Sequence, residues 1–231
     1  MYRFCCILII LFGVNSGLKA QFDLLNKPFV DDLRFNKILS GNFLDLNLKI
    51  SDIQGTPYLS ENFEAGKIVT QEDSVFANIS LRYNAYSDDL EFKQGENIFA
   101  VADKSIVKKA EFGGNLFSYR SFEVGAINRD GFFKILSEGK ATLMVRYTIK
   151  FQDQIEAKAF SDGQPARFED VEKHFYISVE KAPAKLLTNK KSLFEILSNH
   201  KSEMETFISK NKLSIRDEEE LIKIIDQYNS L

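Results

Sequence analysis

The chain has 231 residues, 44% of them hydrophobic, and its 30 basic and 33 acidic side chains leave a net charge of −3. That near balance, with no basic patch, excludes nucleic acid as the main partner, and no basic amphipathic helix marks a surface for anionic lipid. Both cysteines, Cys5 and Cys6, sit close to the N-terminus, so the body of the chain lacks disulfides, thiolate metal sites and a cysteine nucleophile.

Residues 1–20 read as a leader. Arg3 precedes an apolar run, FCCILIILFGV, and a small-residue polar segment then ends at Ala20. That order is the pattern of a secretory signal peptide, and the apolar run is too short to cross a hydrocarbon core of roughly 30 Å as a helix. Cleavage after Ala20 leaves Gln21 first and no transmembrane span in the mature chain. Export without disulfides fits a bacterial envelope, in the periplasm or associated with the outer membrane.

Residues 21–56 form an N-terminal extension. Phe29, Leu33, Phe35 and Ile38 recur at roughly helical spacing after Pro28. Leu44, Leu46, Leu48 and Ile50 then alternate with polar residues, as in a strand.

Residues 57–187 read as an antiparallel β-rich domain. Runs such as GKIVT, SVFANISLRY, LEFK, LFSYRSFEVG and ATLMVRYTIKF are separated by turn signals including SDD, KQGEN, NRDG and SDGQPA. This spacing suits hairpins rather than βαβ crossovers, and the longest strand is expected from Ala141 to Phe151. The fold class is therefore α+β: an antiparallel meander curling toward a small barrel or sandwich.

Residues 188–231 read as two or three short helices packed on that domain. Ser192 with Glu195, Ser202 with Glu205 and Ser214 with Asp217 have the spacing of capping boxes. The apolar stripes are Leu193, Ile196 and Leu197; Met204, Phe207 and Ile208; and Leu221, Ile222, Ile224, Ile225 and Tyr228.

Beyond the leader, the chemistry is sparse. The two histidines, His174 and His200, are far from HExxH spacing, and P-loop, GxGxxG and GxSxG patterns are missing. The densest mixture of charge and aromatics is LRYNAYSDDLEFK, from Leu81 to Lys93. Leu81, Tyr83 and Ala85 fall on one strand face and Arg82, Asn84 and Tyr86 on the other. Ser87, Asp88 and Asp89 make a turn, and Arg82 can pair across it with Glu91. A hairpin accounts for every one of these residues. The competing reading is a recognition patch of Arg82, Tyr86, Asp88, Asp89 and Glu91, or a weak calcium loop of oxygen ligands.

The segments Gly55-Thr-Pro-Tyr-Leu59, Gly66-Lys-Ile-Val69, Leu81-Arg-Tyr-Asn-Ala-Tyr86, Glu91-Phe-Lys93 and Asp226-Gln-Tyr-Asn-Ser-Leu231 resemble a family of exported proteins of Bacteroidota. The resemblance runs from about Asn47 onward. It implies periplasmic or outer-membrane-associated localisation and carries no assigned activity, cofactor or catalytic residue.

The expected function is that of an exported, non-catalytic envelope protein that binds a protein partner, as an accessory subunit of an outer-membrane assembly. Two alternatives stand beside it. One is a small-ligand module, for a glycan or lipid, using the concave sheet face; the other is a hydrolase using a carboxylate pair. No enzyme activity, cofactor or metal is expected, and the oligomeric state is left open.

Overall fold

The structure, a computed structural model, describes residues 35–37 (backbone only), 53–157 and 162–231. The leader and the strand expected from Leu44 to Ile50 lie outside the described residues, as does the beginning of the helix expected after Pro28. Within that expected helix, Phe35–Lys37 is instead a strand, β1. Its residues pair antiparallel with Phe99–Val101, so the open hydrogen-bonding groups of a sheet edge outweigh a weak helical period.

The strands follow the turn signals. They are β2 (Glu64–Thr70), β3 (Val75–Asn84), β4 (Asp89–Gln94), β5 (Asn97–Val101), β6 (Val107–Phe112), β7 (Asn115–Val124), β8 (Ile127–Ser137) and β9 (Ala141–Thr148). After them come β10 (Phe151–Gln152), β11 (Arg167–Phe168), β12 (Glu172–Val179) and β13 (Lys185–Leu186). One 11-stranded antiparallel sheet has the order β1-β5-β4-β3-β2-β6-β7-β8-β9-β12-β13, while β10 and β11 pair separately. Two meanders, β2 to β5 and β6 to β9, thus meet where β2 pairs with β6. The chain passes between them through a 3-10 turn, Lys104–Ile106, where the Gln71 N–H donates to the Ile106 carbonyl at 2.8 Å.

The sheet curls into a half-barrel. A bulge at Gly66/Lys67 breaks the register of β2 against β3, and such bulges sharpen strand twist. Gly66 is required there, because a Cβ would come within 2.3 Å of the Glu111 carbonyl oxygen. The curl carries β3 toward β8, although three strands separate them in sheet order. Tyr83 consequently packs on Phe117 at 5.1 Å and on Phe132 at 6.2 Å between ring centroids. Ile68, Leu81, Phe92, Val145 and Tyr147 join these rings in one buried cluster. Burying each such side chain contributes about 1.5–3 kcal/mol.

The longest strand is β8, with 11 residues; β9 has 8 and ends at Thr148 rather than Phe151. The difference has a local cause, since Phe151 leaves the main sheet to pair with Phe168. Residues 131–135 of β8 and 141–145 of β9 are largely buried on both faces, which the runs Phe132-Phe133 and Leu143-Met144-Val145 reflect. Phe133 and Met144 pack outside the curl with Phe122, Tyr176 and Ala184. Leu143 faces the other way, toward the helices.

Three helices complete the α+β fold: α1 (Lys190–Ile196), α2 (Lys201–Asn211) and α3 (Glu218–Asn229). Leu193, Leu197, Met204, Ile208, Leu221, Ile224, Ile225 and Tyr228 bury against Ala141, Leu143 and Ile177. Asn229 fastens the last turn by accepting from the Ala141 N–H at 2.7 Å and donating to its carbonyl at 2.9 Å.

The capping boxes are corrected. Asn189 caps α1 and Ser192 is its reciprocal third residue, while Asp217 caps α3 through the Glu220 N–H. Helix α2 begins at His200 without a side-chain cap. Asn and Asp are strong N-caps in their own right, and at α1 and α3 they take the position ahead of the nearby serines. No helix among the described residues is long and apolar enough to cross a membrane.

Candidate functional site

The Leu81–Lys93 segment is the hairpin that its alternation predicts, with Arg82 directly opposite Glu91. Arg82 Nε donates to Glu91 Oε2 at 2.7 Å, and Nη2 lies 2.7 Å from the same oxygen. The second carboxylate oxygen accepts from Asn84 Nδ2 at 3.1 Å. Glu91 is 2% exposed, so a buried charge is matched by two donors, as burial demands.

The covering comes from the chain ahead of β2. The Ala85 and Tyr86 N–H groups donate to the Pro57 carbonyl, and the Leu59 N–H donates to the Tyr83 carbonyl. This strap places Tyr58 and Phe63 over the Arg82 guanidinium, 3.5 and 4.3 Å from it to the ring centroids, in cation–π geometry. The Glu61 carbonyl accepts from Nη1 at 3.3 Å. Burial, with the nearby Glu91 charge, raises the Tyr58 pKa.

Asp88 does something different. It stands at the hairpin turn with φ 56°, a left-handed conformation that Asp tolerates better than most residues. Its carboxylate reaches across the curl to a place where β8 and β9 have separated. Their pairing stops at Lys134 and Val145, which leaves the Phe132 N–H without a strand partner. Asp88 Oδ1 accepts from that N–H at 3.2 Å and from the Tyr83 hydroxyl at 2.7 Å, while Oδ2 lies 3.3 Å from Arg146 Nη2. A side-chain carboxylate thus replaces a missing ladder acceptor. Gly131 makes room, since a Cβ there would sit 2.8 Å from Asp88 Oδ2 and 3.2 Å from Arg146 Nε. Burial, and then the Asp88 charge, hold the Tyr83 pKa well above its usual value.

Of the five patch residues, Arg82 and Glu91 pair with each other. Asp89 binds Lys104 Nζ at 2.7 Å, Asp88 closes the gap beside β8, and the Tyr86 ring packs edge-on against Phe151 and Phe168. The patch is therefore dispersed into structural roles. Sequence reasoning missed Lys104, from the 3-10 turn before β6, and Arg146, on β9, which carry no local signal of these contacts. Asn84 was legible: its Oδ1 accepts from the Tyr86 and Ser87 N–H groups, the usual pattern of a turn-forming Asn.

His174 and His200 are apart, on β12 and at the start of α2. Among the described residues, no group of three or more His, Cys, Asp or Glu could hold a metal ion.

Tyr86, Phe151 and Phe168 close the end of the interior beside β10 and β11. The two large hairpins end differently. The β3–β4 turn is tucked against the body, while residues 124–130 at the β7–β8 tip are all exposed. Val124 and Ile127 face each other across that tip, 43% and 64% exposed. Comparison with family models, curated proteins and solved structures finds no match to this chain.

Proposed function

We propose that this chain is an exported, non-catalytic envelope protein that works through protein–protein contact, as an accessory subunit of a larger assembly. One observation carries the reading: the β7–β8 hairpin offers a paired apolar tip to solvent, while the charged β3–β4 turn is consumed within the fold. A firmly paired apolar projection loses little conformational entropy on docking, which favours its use as a contact. The densest polar cluster is satisfied internally, and aromatic rings fill the curl. Both features support binding by the outer surface. The Arg3–Ala20 leader pattern supports export.

The test is site-specific photo-crosslinking in the native host. A probe at Ile127 should yield one adduct of discrete mass, and a probe at Lys93 should yield none. The absence of any adduct at Val124 and Ile127 would refute the contact. Mass spectrometry of the N-terminus tests export separately: Gln21 is expected first, and an intact leader on cytoplasmic protein would refute that element.

A further inference from the structure

We propose that a cavity outside the curl, between β7, β9 and the turn after β12, binds a phosphate group. The cavity holds about 120 Å³, and its polar lining is Arg120, Ser121, Thr142, Ser178 and Lys181, beside the apolar Met144, Ala182 and Pro183. Two cations, with the hydroxyl residues Ser121 and Thr142, thus border a space suited to a compact oxyanion, whose oxygens the guanidinium fork matches as donor, while the Ser178 hydroxyl is already given to the Ala182 carbonyl.

Two features bear on what these cations can bind. Arg82 has its donors occupied by Glu91 and the Glu61 carbonyl. In Arg120, Nε is buried without a hydrogen-bond partner, and Nη2 stands 3.8 Å from Glu138, beyond hydrogen-bond distance. Glu138 is also drawn away, since it accepts from Lys109 Nζ at 3.1 Å. Nε is enclosed, as Arg146 Nε is, so the unused donor capacity of Arg120 at the cavity wall lies in its Nη groups.

Lys181 provides the second feature. It and Glu180 lie consecutively in the left-handed region, with φ 65° and 51°. The Ala182 N–H closes this two-residue turn on the Val179 carbonyl at 3.0 Å. Such turns strongly favour Asn and Gly, so a Glu-Lys pair here is strained and calls for a compensating role. The turn sets Lys181 on the cavity rim, where it has no carboxylate partner among the described residues.

The probe is inorganic phosphate, titrated onto the folded chain by calorimetry with 31P NMR as a second readout. Saturable binding is expected, and Arg120→Gln should weaken it about tenfold or more, as loss of a charge-assisted fork implies. Lys181→Gly separates function from fold. It relieves the left-handed strain and so should raise the melting temperature, while phosphate affinity falls severalfold.

Vesicles of phosphatidylcholine with and without phosphatidic acid distinguish the source. Co-flotation that needs phosphatidic acid and Arg120 identifies a lipid-borne phosphate, and binding of inorganic phosphate alone identifies a free one. The proposal is overturned if wild-type protein shows no saturable phosphate binding, or if acetate displaces phosphate equally well. It also falls if Lys181→Gly stabilises the fold with phosphate affinity unchanged.

Discussion

The β3–β4 and β7–β8 hairpins are both antiparallel pairs of alternating strands, five and eight residue pairs long, yet they end in opposite environments. The first carries Ser87, Asp88 and Asp89 at its turn and folds that turn against β8. The second carries Val124 and Ile127 and holds them out in solvent. Polarity of the turn alone would place them the other way round. What decides is whether a buried partner waits for the polar groups. Asp88 finds the Phe132 N–H, the Tyr83 hydroxyl and Arg146, and Lys104 reaches Asp89 and the Asp88 carbonyl. Satisfied polar groups tolerate burial, whereas among the described residues the β7–β8 tip has no neighbouring element against which to bury its apolar pair.

Four substitutions would break or sharpen this contrast. The largest effect is expected for Glu91→Ala, which leaves the Arg82 charge enclosed by Tyr58 and Phe63 without its counter-ion. A loss of about 3–5 kcal/mol in urea unfolding is expected, and a loss below about 1 kcal/mol would show that water reaches Arg82. Asp88→Ala should follow, at about 2–3 kcal/mol, because it strands the Phe132 N–H and the Tyr83 hydroxyl together. Hydrogen exchange should accelerate at the Phe132 amide in that variant; unchanged exchange there would refute the cap.

Tyr83→Phe should lose about 1 kcal/mol at neutral pH, the net worth of one hydrogen bond. Its more telling effect is alkaline. The raised Tyr83 pKa means that the folded state keeps a proton that the unfolded chain releases near pH 10. The stabilisation from this group is therefore complete below the unfolded pKa and declines as pH rises toward the folded one. The slope is about 1.4 kcal/mol per pH unit for one such proton, so melting above pH 10 should fall less steeply in Tyr83→Phe than in wild type. The smallest effect belongs to the other hairpin. Ile127→Ser should leave stability within about 0.5 kcal/mol, yet abolish the crosslink from a probe at Val124. A large loss of stability would mean that the tip is a fold element after all.

Much of the fold was legible because the signals are local. Alternation in Val75–Asn84 and the helical stripe of Leu221, Ile224, Ile225 and Tyr228 each name an element and its buried face. The Arg82–Glu91 pair was legible too, since a short turn fixes the register of the strands it joins. Less accessible were features that depend on two elements meeting. Phe35 belongs to a strand because β5 offers it an edge. Ser192 is the third residue of α1 rather than its cap because Asn189 competes for that position. In Leu81–Lys93 the alternation places Arg82 opposite Glu91, while Asp88, Asp89 and Tyr86 meet neighbours that only the curl brings near.

By itself, then, the sequence determined the α+β class, the positions of most strands, a C-terminal run of two or three helices, and the hairpin register, through periodicity and turn chemistry acting over a few residues. Only the tertiary structure decided that β8 and β9 part beyond Lys134, that Asp88 fills the opening, and that Arg120 meets Lys181 across a cavity. Those outcomes depend on how far the sheet curls, and curl accumulates from small twists over many strands, a sum that no local pattern records.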